Sequence, residues 1–135
     1  MVKKIITKLI ILAIIAGLSG LKYIARRNGR AYKLALQMKQ EGFTVEKIDV
    51  KQSGTLFDEI AVSGKALNVK INWVGNALSM QNVINSLEKG KLEGRSDKAR
   101  PIYVSGNFIV TVYVEPQPGA VKRFMEENVG SVREY

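Results

Sequence analysis

The side chains that could carry chemistry in this chain are carboxylates, hydroxyls, amides and amines, because the sequence contains no cysteine and no histidine. Their absence excludes disulfides, thiolate and imidazole metal ligands, and catalysis that depends on a cysteine nucleophile or a histidine base. The carboxylates include two adjacent pairs, Asp58-Glu59 and Glu126-Glu127. A glycosidase holds its two carboxylates on separate elements that flank the substrate, whereas neighbours on one helix point about 100° apart. Both pairs are therefore predicted to be solvated surface.

Two glycine-containing segments have features of anion-binding loops. Residues 90–96 contain glycines and cations but lack the strand-loop-helix setting and the Gly-Lys-Ser/Thr ending of a phosphate-binding loop, so they are predicted to be a plain loop. Gly75-Asn76 lies between a predicted strand and a predicted helix, where free N–H groups could hold an anion, but Asn76 is predicted to act as an ordinary helix cap. The sequence thus predicts no catalytic, cofactor-binding or metal-binding residue, and the chain is predicted not to be an enzyme.

The positive charge of the chain is concentrated at its N-terminus. Residues 1–40 contain nine of the 21 lysines and arginines and none of the 12 acidic residues, so residues 41–135 are neutral despite the formal charge of +9 for the whole chain. A neutral domain lacks a net positive field to attract a polyanion, and nucleic acid is not predicted as a partner. Basic residues beside an apolar segment are instead typical of membrane topology signals and of contacts with anionic lipid headgroups.

The segment from Ile5 to Ile24 is almost continuously apolar. Twenty helical residues at about 1.5 Å each span roughly 30 Å, enough to cross the hydrocarbon layer of a bilayer. Residues 1–25 are therefore predicted to form a single-pass membrane anchor, with lysines that snorkel outward and an interfacial tyrosine. The residues predicted to face lipid or its headgroups are Lys8, Lys22, Tyr23, Arg26, Arg27 and Arg30.

A cleaved secretory signal is the alternative interpretation of this segment. Only Leu9–Leu21 is free of charge, Lys3-Lys4 resembles a basic n-region, and Gly17-Leu18-Ser19 offers small-residue cleavage context. Bulky apolar residues continue beyond that site, which favours retention as an anchor. Both flanks of the segment are basic: the larger count on the C-terminal side predicts a cytoplasmic domain, whereas the two leading lysines favour the opposite orientation, and the side of the domain is left open.

A basic juxtamembrane helix is predicted for residues 26–42. Its apolar residues Ala31, Leu34, Ala35 and Met38 recur with helical spacing, and Gly42 provides a C-terminal stop. This stripe is predicted to pack on the domain that follows, with a lipid surface or a partner helix as the alternative.

Residues 43–130 are predicted to form an α+β domain in the order β-β-β-α-β-β-α, followed by a frayed tail at 131–135. Alternation of apolar and polar residues, turn signals and helical spacing place its elements, which are strands at Phe43–Lys51, Asp58–Ser63 and Leu67–Trp73, a helix at Asn76–Gly90, strands at Ile102–Ser105 and Phe108–Glu115, and a short helix from about Pro118–Ala120. Runs of adjacent strands favour a small antiparallel or mixed sheet of about five strands with helices on one face. Trp73 is predicted to lie in the core, and the strand from Phe108 is predicted to be central because both of its faces carry apolar residues.

Together these patterns predict a single-pass membrane-anchored structural or accessory protein that is not an enzyme and uses no cofactor. Its expected partners are membrane lipids and another protein or a second copy of the chain, in a cell envelope complex or a membrane-containing virion. Tethering raises the local concentration of a modest binding face, so a small domain can act without high intrinsic affinity. The alternative is a secreted or periplasmic ligand-binding domain that is released when the signal is cleaved.

Overall fold

A computed structural model of the chain describes residues 29–94 and 100–135. These ranges contain three helices and six strands, in the order α1 (Arg30–Gln40), β1 (Lys47–Ser53), β2 (Phe57–Gly64), β3 (Leu67–Val74), α2 (Ala77–Leu92), β4 (Ile102–Ser105), β5 (Phe108–Val114), α3 (Ala120–Asn128) and β6 (Arg133–Glu134). The strands form one sheet in the order β1-β2-β3-β5-β4-β6, and every neighbouring pair is antiparallel. The predicted α+β class is confirmed, the predicted element order holds from α1 to α3, and β6 is an additional strand beyond the five expected; β5 is a central strand as expected.

One face of the sheet is covered by α1 and α3. Alternate residues of β3, from Leu67 to Trp73, point into this core, because side chains of a strand alternate between its two faces. The stripe of α1 packs against them, with Ala31, Leu34, Ala35 and Met38 all less than 8% exposed. The alternative that this stripe faces lipid or a partner helix is therefore wrong, and packing on the domain is confirmed.

The opposite face is covered in part by α2, so the prediction of helices on one face is wrong. Neighbouring residues of β5 show the two layers: Val110 lies in the core beneath α1 and α3, whereas Ile109 packs with Met80 of α2. A strand that is apolar on both faces needs a cover on each side, and the apolar face of α2 supplies the second one. The remainder of that second face, over β1 to β3, presents polar residues such as Lys70 and Asn72.

The C-terminal residues, predicted as a frayed tail, form part of the sheet. Strand β6 pairs with β4, and Tyr135 exchanges two backbone hydrogen bonds with Ile102, at 2.8 Å and 3.0 Å. The Tyr135 side chain is 8% exposed, and its hydroxyl donates to Oε1 of Glu88 on α2 at 2.6 Å. The tail therefore ties the last turns of α2 to the edge of the sheet.

Candidate functional site

The site with the most specific chemistry in the described residues lies where α1 begins. The first N–H groups of a helix have no partner within the helix, and Gly29 at the cap position offers no side chain to accept from them. Asp58 of β2 replaces the missing cap: its Oδ2 accepts from the backbone N–H of Arg30 at 2.8 Å and of Ala31 at 3.4 Å. Its Oδ1 accepts from the N–H of Gly54 at 3.2 Å. A carboxylate from the sheet thus caps α1 and ties down the β1–β2 turn.

The burial of Asp58 corrects the prediction that both acidic pairs are surface. Asp58 is only 2% exposed and shares the inward face of β2 with Ile60 and Val62. Glu59 points to the other face, where its Oε1 lies 3.9 Å from Nζ of Lys70. Glu126 and Glu127 are exposed, as predicted. The sequence held a signal for Asp58, because a residue two positions before Ile60 in a strand must share its face.

Arg30 and Trp73 complete the surroundings of this cap. The guanidinium carbon of Arg30 lies 4.6 Å from the centroid of the Trp73 ring, a cation–π distance. Trp73 is 8% exposed, which confirms its predicted place in the core. A cleft of about 320 Å³ adjoins the pair, and its lining includes Gly29, Gly54 and Thr55. The chain therefore enters the domain beside the β1–β2 turn.

A larger groove, of about 520 Å³, runs beside α1 toward the end of α3. It is lined by Arg30, Lys33, Leu34, Gln37, Phe108 and Asn128, among others. Nε2 of Gln37 lies 3.3 Å from Oδ1 of Asn128, and Nδ2 of Asn128 donates to Oε2 of Glu41 at 3.1 Å. The amides in this groove thus bond to neighbouring side chains, and their arrangement joins α1 to α3.

Among the described residues, the polar groups of Gly75 and Asn76 bond within the domain. The Asn76 side chain accepts from the N–H of Ser79 at 3.0 Å, so its predicted role as the cap of α2 is confirmed. The N–H of Gly75 donates to the carbonyl of Leu56 at 2.8 Å and is not free for a ligand. The prediction that residues 90–96 are a plain loop is wrong for residues 90–92, which belong to α2, and residues 95 and 96 lie outside the described ranges.

An ion pair on β1 and the burial of two tyrosines shift the pKa values of the groups involved. Nζ of Lys51 lies 2.6 Å from Oδ2 of Asp49, and this contact lowers the pKa of Asp49 and raises the pKa of Lys51 on the open surface. Burial raises the pKa of Tyr103 and of Tyr135, so both hydroxyls stay protonated at neutral pH. Within residues 29–94 and 100–135, no group of three acidic side chains is placed to hold a metal ion.

Of the residues predicted to face lipid, the structure describes one. Lys8, Lys22, Tyr23, Arg26 and Arg27 lie outside the described residues, and Arg30 is the first residue of α1. No helix in the described part of the chain is long and apolar enough to cross a bilayer.

Two leucines are exposed at the end of the sheet where the chain enters, and no pattern in the sequence predicted their exposure. Leu56 in the β1–β2 turn is 59% exposed, and Leu78 in the first turn of α2 is 73% exposed. No protein-family model, no curated protein and no solved structure matches the chain. The residues and contacts described above are therefore the basis for a functional proposal.

Proposed function

We propose that this chain is a single-pass membrane-anchored structural or accessory protein that is not an enzyme and binds another protein at the bilayer, in a cell envelope complex or a membrane-containing virion. The observation that carries the proposal is the junction between the two parts of the chain. The apolar segment Ile5–Ile24 and its basic flanks lead directly into Gly29, where α1 is fastened to the sheet by Asp58.

The short connection between these parts would keep the domain at the membrane surface. Four residues, 25–28, separate Ile24 from Gly29. Five steps along the chain at roughly 3.5 Å each span at most about 18 Å. The polar headgroup layer is roughly 5–8 Å deep on each side of a bilayer, so the start of α1 would lie within or just beyond the headgroups.

The properties of the domain favour a binding role over a catalytic one. The sequence has no cysteine or histidine, and residues 41–135 carry equal numbers of positive and negative charges. The buried carboxylate of Asp58 is occupied by three backbone N–H groups and serves the fold. A tethered neutral domain suits association with a second protein held on the same surface, because the tether raises their effective concentration.

Mass spectrometry of the mature N-terminus, combined with membrane fractionation, tests this proposal. We expect an intact start at Met1 or Val2 in the membrane fraction. A start near Gly20 in the soluble fraction would replace the proposal with the secreted or periplasmic ligand-binding domain.

The basic flank offers a second test, and the structure refines its design. Arg30 stacks on Trp73, so its replacement would disturb the domain as well as the membrane contact. Arg26→Glu with Arg27→Glu changes only the flank, and we expect altered topology or weaker lipid association with an unchanged domain. Protease protection in sealed vesicles measures both this change and the side on which the native domain lies; an unchanged protection pattern would show that these arginines do not set topology.

A further inference from the structure

One end of the sheet gathers the entry point of the chain and three turns. We call this the Gly29 end; it comprises Gly29 and residues 54–57, 75–78 and 106–107. Hydrogen bonds join these parts, from the N–H of Gly75 to the carbonyl of Leu56 at 2.8 Å and from the N–H of Val74 to the carbonyl of Asn107 at 2.9 Å. Thr55 lines the same cleft as Gly29. The turn that carries Leu56 and the start of α2 therefore lie at the end where the N-terminal segment joins the domain.

The Gly29 end presents two large apolar side chains to the surroundings. Leu56 is 59% exposed and Leu78 is 73% exposed, and they lie on two segments that the bond from Gly75 to Leu56 holds together. Burying apolar surface is favourable in proportion to its area, so two leucines that remain exposed on adjoining segments favour contact with an apolar phase.

The three turns of the Gly29 end carry no carboxylate that would oppose an anionic lipid surface. The segments 54–57, 75–78 and 106–107 contain no acidic residue, and Asp58 beside them is buried. The 28 residues that precede Gly29 contain lysine and arginine but no aspartate or glutamate. Anionic headgroups would therefore meet cations from the N-terminal segment and no opposing carboxylate from these turns.

We propose that the Gly29 end of the domain docks on the bilayer that holds the N-terminal segment, with Leu56 and Leu78 at the boundary between headgroups and acyl chains. This inference rests on the proposed membrane anchor. The occupant is lipid rather than a partner protein because the chain itself enters at this end, at most about 18 Å from Ile24. An anchored domain with this tether brings its Gly29 end to the membrane before any other surface. Docking would fix the orientation of the domain. The open polar face over β1 to β3 would then point along the membrane surface, where a neighbouring protein could reach it.

The absence of native cysteine allows a direct depth measurement on the full chain. Leu56→Cys, Leu78→Cys and Leu92→Cys would each be labelled with the same environment-sensitive fluorophore and reconstituted in vesicles of phosphatidylcholine and phosphatidylglycerol. Leu92 is the matched control, because it is 88% exposed at the opposite end of α2 from Leu78. Quenching would be compared between nitroxide-labelled lipid and aqueous iodide.

We expect the labels at positions 56 and 78 to be quenched by nitroxide lipid several-fold more than the label at 92, and the label at 92 to be quenched better by iodide. Labels at 56 and 78 that iodide reaches as readily as at 92, in protein that floats with the vesicles, would overturn the docking and leave the anchor intact. Labels protected from both quenchers would show that protein, rather than lipid, covers this surface and would also overturn the docking. Protein that does not float with vesicles would overturn the anchor itself.

A second set of variants shows whether the leucines cause the docking. A fluorophore on Asn107→Cys reports on the Gly29 end without altering either leucine. We expect Leu56→Ser with Leu78→Ser to reduce its quenching by nitroxide lipid several-fold, whereas Leu92→Ser leaves the quenching unchanged. Equal quenching by nitroxide lipid in the Leu56→Ser with Leu78→Ser protein and in the Leu92→Ser protein would contradict a role for the two leucines in docking.

Discussion

Helices α1 and α2 carry apolar residues at similar spacing, yet the sheet holds them very differently. All four stripe residues of α1 are buried, and its N-terminus is capped by Asp58 from the sheet. In α2 only Met80 is buried, and Leu78 and Leu92 are 73% and 88% exposed. The amount of apolar surface beneath each helix explains the difference, because α1 shares its face with long apolar rows of β2, β3 and β5, whereas α2 has a smaller apolar patch around Val74, Val104 and Ile109.

The difference in burial between α1 and α2 suits the two helices to different roles within one small domain. Helix α1, which follows the proposed anchor, is held to the sheet by its buried stripe and by the Asp58 cap, so it would couple the domain to that anchor. Helix α2 contributes less to the core and can leave leucines exposed. In our proposal, α1 contributes mainly to stability and the start of α2 contributes to the docking surface.

The largest expected contrast comes from the buried methionine of each helix. Met38→Ala should lower the free energy of unfolding by about 3 kcal/mol, because Met38 is 1% exposed in the larger core. Met80→Ala should cost about 1–2 kcal/mol, since partly exposed neighbours let its site collapse. Denaturant titration of the full chain in detergent, followed by emission of the single tryptophan, Trp73, measures both. Equal costs, or a larger cost for Met80→Ala, would contradict the ranking of the two helices.

Removal of the cap should be the next largest effect. Asp58→Ala leaves three backbone N–H groups without their acceptor, including two at the start of α1, and should destabilise the domain by about 2–3 kcal/mol. Asp49→Ala is the matched control, because the Asp49 carboxylate forms an ion pair with Lys51 on the open surface and its loss should leave the midpoint unchanged. If the two variants unfold at the same denaturant midpoint, the hydrogen bonds of Asp58 do not stabilise the domain.

A smaller effect is expected where the tail holds α2. Tyr135→Phe removes the hydrogen bond from the tyrosine hydroxyl to Glu88 and should cost about 1 kcal/mol. Amide hydrogen exchange should quicken in the last turns of α2 and stay unchanged in α1. Faster exchange in α1 as well would show that the two helices are not held independently.

The smallest effect concerns alkaline pH. Burial first, then the bond to Glu88, raises the folded-state pKa of Tyr135 above its unfolded value near 10, and burial raises that of Tyr103 as well. A raised folded-state pKa contributes stability that is present below pH about 10 and is lost as the pH rises through the folded value. The denaturant concentration at the unfolding midpoint should therefore decrease as the pH is raised above about 10, and the decrease should be smaller in Tyr135→Phe than in the native protein. An equal fall in both proteins would assign the dependence to Tyr103 and other groups.

The sequence predicted those features that depend on local spacing. The element order follows from alternation in strands such as Leu67–Val74, from the stripe of α1 and from the Asn76 cap, all of which are short-range patterns. The central place of β5 followed from apolar residues on both of its faces. Apolar residues on both faces of β5 also require a cover on each face of the sheet. The prediction of helices on one face did not take this requirement into account.

The features that escaped prediction depend on contacts between distant residues. Asp58 caps a helix that begins 28 positions earlier, and the pairing of Tyr135 with Ile102 spans the whole of β4, β5 and α3. Neither contact leaves a periodic pattern in the sequence. The exposure of Leu56 and Leu78 depends on how the β1–β2 turn and the start of α2 meet, which only the folded chain determines.

Extraction of native membranes with alkaline carbonate tests the membrane anchor most directly. Carbonate releases peripheral proteins and leaves spanning segments in the bilayer. A spanning anchor predicts that the full-length chain stays in the membrane pellet with Met1 or Val2 at its N-terminus. Release of the unprocessed chain into the supernatant, monodisperse without detergent, would contradict it.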